Sequence, residues 1–118
     1  MVVFTMRLRC SPQSRDEIVQ ALRSLIGPTQ AERGCMGCYL QQDANDPSLL
    51  TFSEEWEQQA DLDRHMASGD YHRLLVVMDM ASAPPNVTVA RVMDESALDR
   101  IAAARATRSP HQANSSPG

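Results

Sequence analysis

The chain has 118 residues and a mass of 13.0 kDa, which is the size of one domain with a single core. A net charge of -4 and a hydrophobic content of 42% argue against a nucleic-acid-binding protein and favour a globular chain that binds a small molecule or a protein. The apolar N-terminal run meets Arg7 too early to form a signal peptide or a membrane span, so we expect a cytoplasmic protein without membrane contact.

The first predicted elements are a strand over residues 2–9 and a helix that follows it. One face of the strand is wholly apolar and consists of Val2, Phe4, Met6 and Leu8. The helix is predicted to begin at Ser14, because Ser14 and Glu17 have the spacing of a capping box. Its inward stripe consists of Ile18, Leu22, Leu25 and Ile26. Pro28 removes one helical hydrogen bond, and the sequence leaves open whether the helix continues through it.

A hairpin is predicted next, with strands over residues 35–42 and 49–56. Its connection, residues 43–48, is rich in Asp, Asn, Pro and Ser, which are the residues that turns prefer. Alternation along the second strand places Glu54 on the more apolar face, together with Leu50, Phe52 and Trp56. Glu54 is therefore predicted to lie on the side of the core.

The second half of the domain begins with a helical region over residues 58–81, which we expect to be broken at Gly69. A strand over residues 86–92 follows. A short helix over residues 94–106 is then predicted, with an inward face of Leu98, Ile101 and Ala102. Residues 1–106 form one predicted domain, and residues 107–118 are expected to be a disordered tail.

The element order is β-α-β-β-α-β, which is typical of the α+β ferredoxin-like fold with a four-stranded antiparallel sheet. Helices cover one face of such a sheet. The other face is predicted to carry apolar residues such as Val3, Leu49 and Val92. Because an exposed apolar face favours association, we expect a homodimer.

Several stretches taken together resemble the antibiotic biosynthesis monooxygenase domain family. They are RGCMGCY at residues 33–39, Asp46-Pro47, EEW at residues 54–56 and ADLDRHMAS at residues 60–68. The resemblance covers roughly residues 1–92. It implies a dimeric α/β barrel of ferredoxin-like subunits, and oxidation of phenols, anthrones or quinols by molecular oxygen without a metal, a flavin or another cofactor.

Two residues are predicted to carry the chemistry. His65 lies three residues after Leu62, which turns it toward the apolar side of its helix, and its ordinary pKa of about 6.5 suits proton transfer. Glu54 could orient this histidine or accept a proton from a substrate hydroxyl. The alternative for His65 is a core or interface histidine whose nitrogens bond to the backbone.

The predicted substrate pocket is aromatic and adaptable. Trp56 could form its wall or stack on an aromatic substrate, and Phe52 lies on the same strand face. Tyr39 and Tyr71 could add hydrogen-bond donors at the mouth. Met66 could adapt to an irregular ligand through its thioether.

The Cys35-Met36-Gly37-Cys38 segment invites a metal or redox interpretation. We disfavour it and predict no metal site, because residues i and i+3 of a regular strand point to opposite faces, and redox pairs normally lie at a helix N-terminus. The three cysteines are an odd number without a secretory signal, so reduced thiols are expected.

The leading hypothesis is a cofactor-independent monooxygenase that acts on a small aromatic, phenol or quinol substrate with molecular oxygen. Two alternatives stay open. One is an isomerase or lyase of the same barrel fold that uses His65 to move a proton on a small metabolite. The other is a non-catalytic small-molecule binder.

Overall fold

The computed structural model describes residues 1–93 and 96–107, and its centre is one antiparallel sheet of four strands. The strands are β1 (Val2–Arg9), β2 (Cys35–Gln42), β3 (Leu49–Trp56) and β4 (Asn86–Arg91). Their order across the sheet is β2-β3-β1-β4. The predicted ferredoxin-like fold is confirmed, and the first three strands have the predicted bounds.

In the described part of the chain, four helices accompany the sheet: α1 (Arg15–Gln30), α2 (Gln59–Met66), α3 (Gly69–Asp79) and α4 (Ala97–Ala106). The predicted break in the second helical region is present. Ser68 begins α3, where its hydroxyl accepts a hydrogen bond from the Tyr71 N–H at 3.3 Å. Within the described ranges, no helix is both long and apolar enough to cross a membrane. The predicted tail, apart from Thr107, lies outside the described residues.

The start and the end of α1 differ in how well the sequence predicted them. The predicted capping box is wrong, because Ser14 has helical backbone angles (φ −104°, ψ −5°) and its side chain makes no capping bond. Its hydroxyl pairs instead with the Ser11 hydroxyl at 2.8 Å. At the other end α1 continues through Pro28 to Gln30. Pro28 has no backbone N–H, so α1 loses one hydrogen bond there. The loss is tolerated because it falls near the end of the helix.

The core lies between the sheet and the helices α1, α2 and α3. The apolar face of β1 is buried, with Phe4 and Met6 at 0% exposure. It packs with Ile18 and Leu22 of α1 in one cluster. Each such side chain contributes roughly 1.5–3 kcal/mol to the stability when it is fully buried. The opposite face of β1 and β3 stays partly exposed, as at Val3 and Leu49.

The predicted inward face of α4 is wrong. Leu98 is 77% exposed, Ile101 is 55% exposed, and α4 has no buried residue. An apolar stripe on a helix becomes an inner face only where another element packs against it. None of the described elements supplies that contact for Leu98 and Ile101.

Candidate active site

His65 is held between two carboxyl groups in the interior. Its Nδ1 lies 2.6 Å from Oε2 of Glu32, and its Nε2 lies 3.0 Å from Oε2 of Glu54. The side chains of His65 and Glu54 are only 2% and 1% exposed, whereas that of Glu32 is 24% exposed. Both ring nitrogens therefore face carboxyl oxygens, an arrangement that is satisfied fully when the ring is protonated.

The local structure explains how α2 and β3 bring these groups together. Alternation along β3 buries Glu54 between Phe52 and Trp56. α2 then begins after Gln58, whose N–H donates to Asp61 Oδ2 at 3.1 Å. Leu62 and His65 are the buried residues of α2, three positions apart on one face. This face turns toward β3.

Glu32 reaches the site from the turn between α1 and β2. The Cys35 N–H donates to the Glu32 carbonyl at 3.1 Å, and the Glu57 N–H donates to the Gly34 carbonyl at 2.8 Å. Gly34 has a φ of 87°, a left-handed angle that favours glycine. A β-carbon at Gly34 would also collide with the Asp61 side chain. The turn that carries Glu32 is thus fixed against the start of α2.

Aromatic rings enclose the histidine. The Trp56 and His65 rings are 4.8 Å apart at an angle of 34°, and the Tyr71 ring contacts His65 edge-on at 5.7 Å. Trp56 Nε1 donates to Oε1 of Glu54 at 3.2 Å. The two oxygens of Glu54 are consequently bonded to two different rings, which fixes the orientation of the carboxyl group.

The surroundings shift two pKa values at this site. Burial lowers the pKa of His65, but the hydrogen bonds and charges of Glu54 and Glu32 raise it more, so the pKa lies above its ordinary value. Burial, followed by the charge of Glu54, raises the pKa of Tyr71. The arrangement therefore favours an imidazolium ring and a neutral phenol, and it can store one proton in an apolar interior.

Residues 1–75 match the family model for the antibiotic biosynthesis monooxygenases. The chain belongs to this family. Rv0793 of Mycobacterium tuberculosis is 29% identical and has a TM-score of 0.73, with 81% of this chain and 98% of that chain covered. No curated protein matches the sequence.

Two further solved structures share the fold of this family member. One is described as an antibiotic biosynthesis monooxygenase; it is 23% identical, covers 79% of this chain and 99% of its own, and has a TM-score of 0.71. A protein of Deinococcus radiodurans that carries the same family name is 18% identical, with 81% and 96% covered and a TM-score of 0.76.

The other predicted substrate residues divide into two groups. Phe52 is fully buried on the same strand face as Glu54, and Met66 is partly buried against the core. Tyr39 lies on the opposite face of the sheet, where its hydroxyl donates to Glu55 at 3.2 Å. The structure therefore does not bring Tyr39 to His65. The apolar cleft of about 240 Å³ between α1 and α3 is a separate feature, because His65 is not among the residues that line it.

The positions of Cys35 and Cys38 in β2 differ from the prediction. A β-bulge between Cys35 and Gly37 inserts one extra residue into β2, so Cys35 pairs with Trp56 and Cys38 pairs with Glu54. Both cysteines hence share one face of the sheet, and the prediction of opposite faces is wrong. They are free thiols. Burial, and to a smaller extent the charge of Glu54, raises the pKa of Cys38 to about 12.

Sequence reasoning missed Glu32 altogether. Its signal was indirect: it stands two residues before Gly34, in the turn that enters the strand paired with the end of β3. An acidic residue in a turn is usually solvated, so the pattern alone did not single it out. Within residues 1–93 and 96–107 there is no group of three or more His, Cys, Asp or Glu side chains arranged to hold a metal ion.

Proposed function

We propose that the protein is a cofactor-independent monooxygenase that oxidises a small phenol or quinol with molecular oxygen. The observation that supports this most directly is the buried His65, with both ring nitrogens bonded to carboxyl groups and aromatic rings on two sides. Membership of the antibiotic biosynthesis monooxygenase family points in the same direction.

Oxygen reacts slowly with closed-shell organic molecules, so the enzyme must first make the substrate electron-rich. The substrate hydroxyl loses its proton to the Glu54 carboxylate, and the positive charge of the His65 imidazolium, whose Nε2 lies 3.0 Å from Glu54, stabilises the anion that remains. The substrate anion then donates electrons to oxygen. For an anthrone, one oxygen atom becomes the new carbonyl, and the other leaves as water with two substrate hydrogens, so no external reductant is required.

The proposed substrate lies against the rings around His65. Tyr71, which is partly exposed, supplies an aromatic ring on which a planar substrate stacks, and the fully buried Trp56 supports the His65 ring from within the core. Tyr71 and Met66 are partly exposed, and they mark the side from which a small molecule approaches. The surrounding apolar core keeps water away from the anion.

The experiment is oxygen uptake by metal-free and flavin-free protein with a panel of hydroquinones and anthrones. His65→Gln keeps a polar side chain at this buried position but cannot carry the proton, so the rate is expected to fall by roughly 10²–10⁴-fold. His72→Gln is the matched control, because His72 is an exposed histidine on α3. Circular dichroism of each variant confirms that it is folded.

Several outcomes would count against the oxygenase. If the unmodified protein consumes no oxygen with any of these substrates but moves a substrate proton, it is an isomerase or lyase. If it binds the aromatic compounds without turnover, it is a binder. Equal uptake by the unmodified protein and His65→Gln would remove His65 from the mechanism.

We also propose that the protein forms a homodimer through the exposed face and edge of its sheet. Val87 and Val89 on the edge strand β4 are 43% and 48% exposed, and Val92 beyond it is 44% exposed. A second copy would cover these side chains. Light scattering at micromolar concentration is expected to give twice 13.0 kDa, and a monomeric mass would contradict the dimer.

A further inference from the structure

We propose that Glu32 is the solvent end of a proton relay that runs from Glu54 through His65. The inference rests on the proposed function, because the relay removes the substrate proton from the site after each deprotonation. Glu32 acts through His65 and does not contact the substrate, so it is a positioning residue rather than a catalytic one.

The exposures of the three side chains give the relay its direction. Glu54 and His65 are 1% and 2% exposed, and Glu32 is 24% exposed. Water therefore meets the relay at Glu32. The distances of 3.0 Å and 2.6 Å place each proton transfer on an existing hydrogen bond.

Each step moves one proton and no electrons. The substrate hydroxyl passes its proton to the Glu54 carboxylate. The imidazolium ring of His65 releases its Nδ1 proton to Glu32, and Glu32 releases it to water. A flip of the ring then turns the unprotonated nitrogen toward Glu54, which transfers its proton to the ring and restores the imidazolium. Two tautomeric nitrogens on opposite sides of one ring are what such a transfer requires.

The other titratable groups nearby are poor routes for the proton. Tyr71 on α3 faces the His65 ring, and Cys35 and Cys38 on β2 share the face of Glu54. Burial raises the pKa of all three groups, so they stay protonated at neutral pH and cannot accept another proton. On α2 itself, Asp61 and Arg64 form an ion pair with each other at 2.6 Å.

If Glu32 served only to stabilise the fold, its replacement would have different effects. A neutral histidine needs one acceptor and one donor, whereas Glu32 and Glu54 both present acceptors. Two acceptors therefore match a ring that carries the extra proton, which is the proton that the relay releases. A structural ion pair would affect stability, but it would not control how fast the ring protons reach water.

The relay is tested first without substrate, by NMR of the ring N–H protons of His65 in protein labelled with ¹⁵N-histidine. Glu32→Gln keeps the shape and a hydrogen bond but accepts no proton, so exchange of these protons with water is expected to slow at least tenfold. Glu17→Gln, an exposed carboxyl change on α1, is expected to leave the exchange unchanged. Unchanged exchange in Glu32→Gln would overturn the relay.

The second part of the test measures the steady-state kinetics of oxygen uptake. We expect Glu32→Ala to lower kcat at least tenfold with little change in KM, and formate to restore part of the rate by replacing the lost carboxyl group. Formate should not restore Glu54→Ala, because that position is buried. If the unmodified protein shows no oxygen uptake, the proposed function fails, and the NMR exchange still decides whether Glu32 connects His65 to water.

Discussion

Replacing Glu54 with alanine is expected to lower the free energy of unfolding by about 3–5 kcal/mol, which is the usual cost of breaking a buried charge pair. The change removes the partner of His65 Nε2 and the acceptor of the Trp56 indole N–H at once. Both donors would be left in a part of the core that water does not reach. Chemical denaturation at pH 6.5 measures the loss.

A matched control lies next to Glu54 on the same strand. Glu55 points to the other face of β3 and accepts a bond from the exposed Tyr39 hydroxyl. Glu55→Ala is therefore expected to cost less than about 1 kcal/mol. A loss below 1 kcal/mol for Glu54→Ala as well would mean that the buried pair of Glu54 and His65 does not form in solution.

Glu54→Gln separates stability from proton transfer. Glutamine has the shape of glutamate, can still accept from Trp56, and can donate to Nε2 of a neutral His65. We expect it to recover much of the stability that alanine loses. It cannot take a proton from the substrate, so oxygen uptake is expected to stay low in Glu54→Gln.

The stability of the unmodified protein is expected to fall as the pH rises above about 6.5, the ordinary pKa of histidine. The pKa of His65 is raised in the folded state. Between the two pKa values the folded protein holds one proton that the unfolded chain has released, so the free energy of unfolding decreases with pH. The limiting slope for one proton is about 1.4 kcal/mol per pH unit.

The measurement is chemical denaturation at half-unit steps from pH 5.5 to 8.5, with His65→Gln as the control. Below pH 6.5 the contribution of His65 should be fully present, and it should be lost as the pH passes the raised pKa. His65→Gln should show a flatter profile. Asp46, with a pKa lowered to about 2, and Cys38, with a pKa raised to about 12, titrate outside this window. A rise in stability across the window would contradict an imidazolium held by two carboxyl groups.

The architecture could be predicted well because its signals are local and periodic. The strands at residues 2–9, 35–42 and 49–56 have the predicted bounds, since alternation with a period of two decides which side chains a sheet buries. The same rule placed Glu54 inward. The inward position of His65 followed from its spacing to Leu62 on α2.

The predictions from sequence were wrong where the structure depended on a packing partner or on an irregular strand or helix end. The apolar side chains of α4 fit a helix with an inner face, but within the described chain no element packs against Leu98 and Ile101. The spacing of Cys35 and Cys38 fits opposite faces only in a regular strand, and the bulge in β2 reverses that conclusion. Ser14 had the right neighbours for a cap but the wrong backbone angles.

By itself, the sequence determined the ferredoxin-like order of elements, the family, and the burial of Glu54, Trp56 and His65. Only the tertiary structure decided what His65 bonds to. Glu32, His65 and Glu54 are separated by up to 33 positions in the chain, between Glu32 and His65. They meet because β2 pairs with β3 and the turn at Gly34 contacts the start of α2. Periodicity specifies which way a side chain points, whereas contacts between distant segments depend on how the sheet and the helices pack.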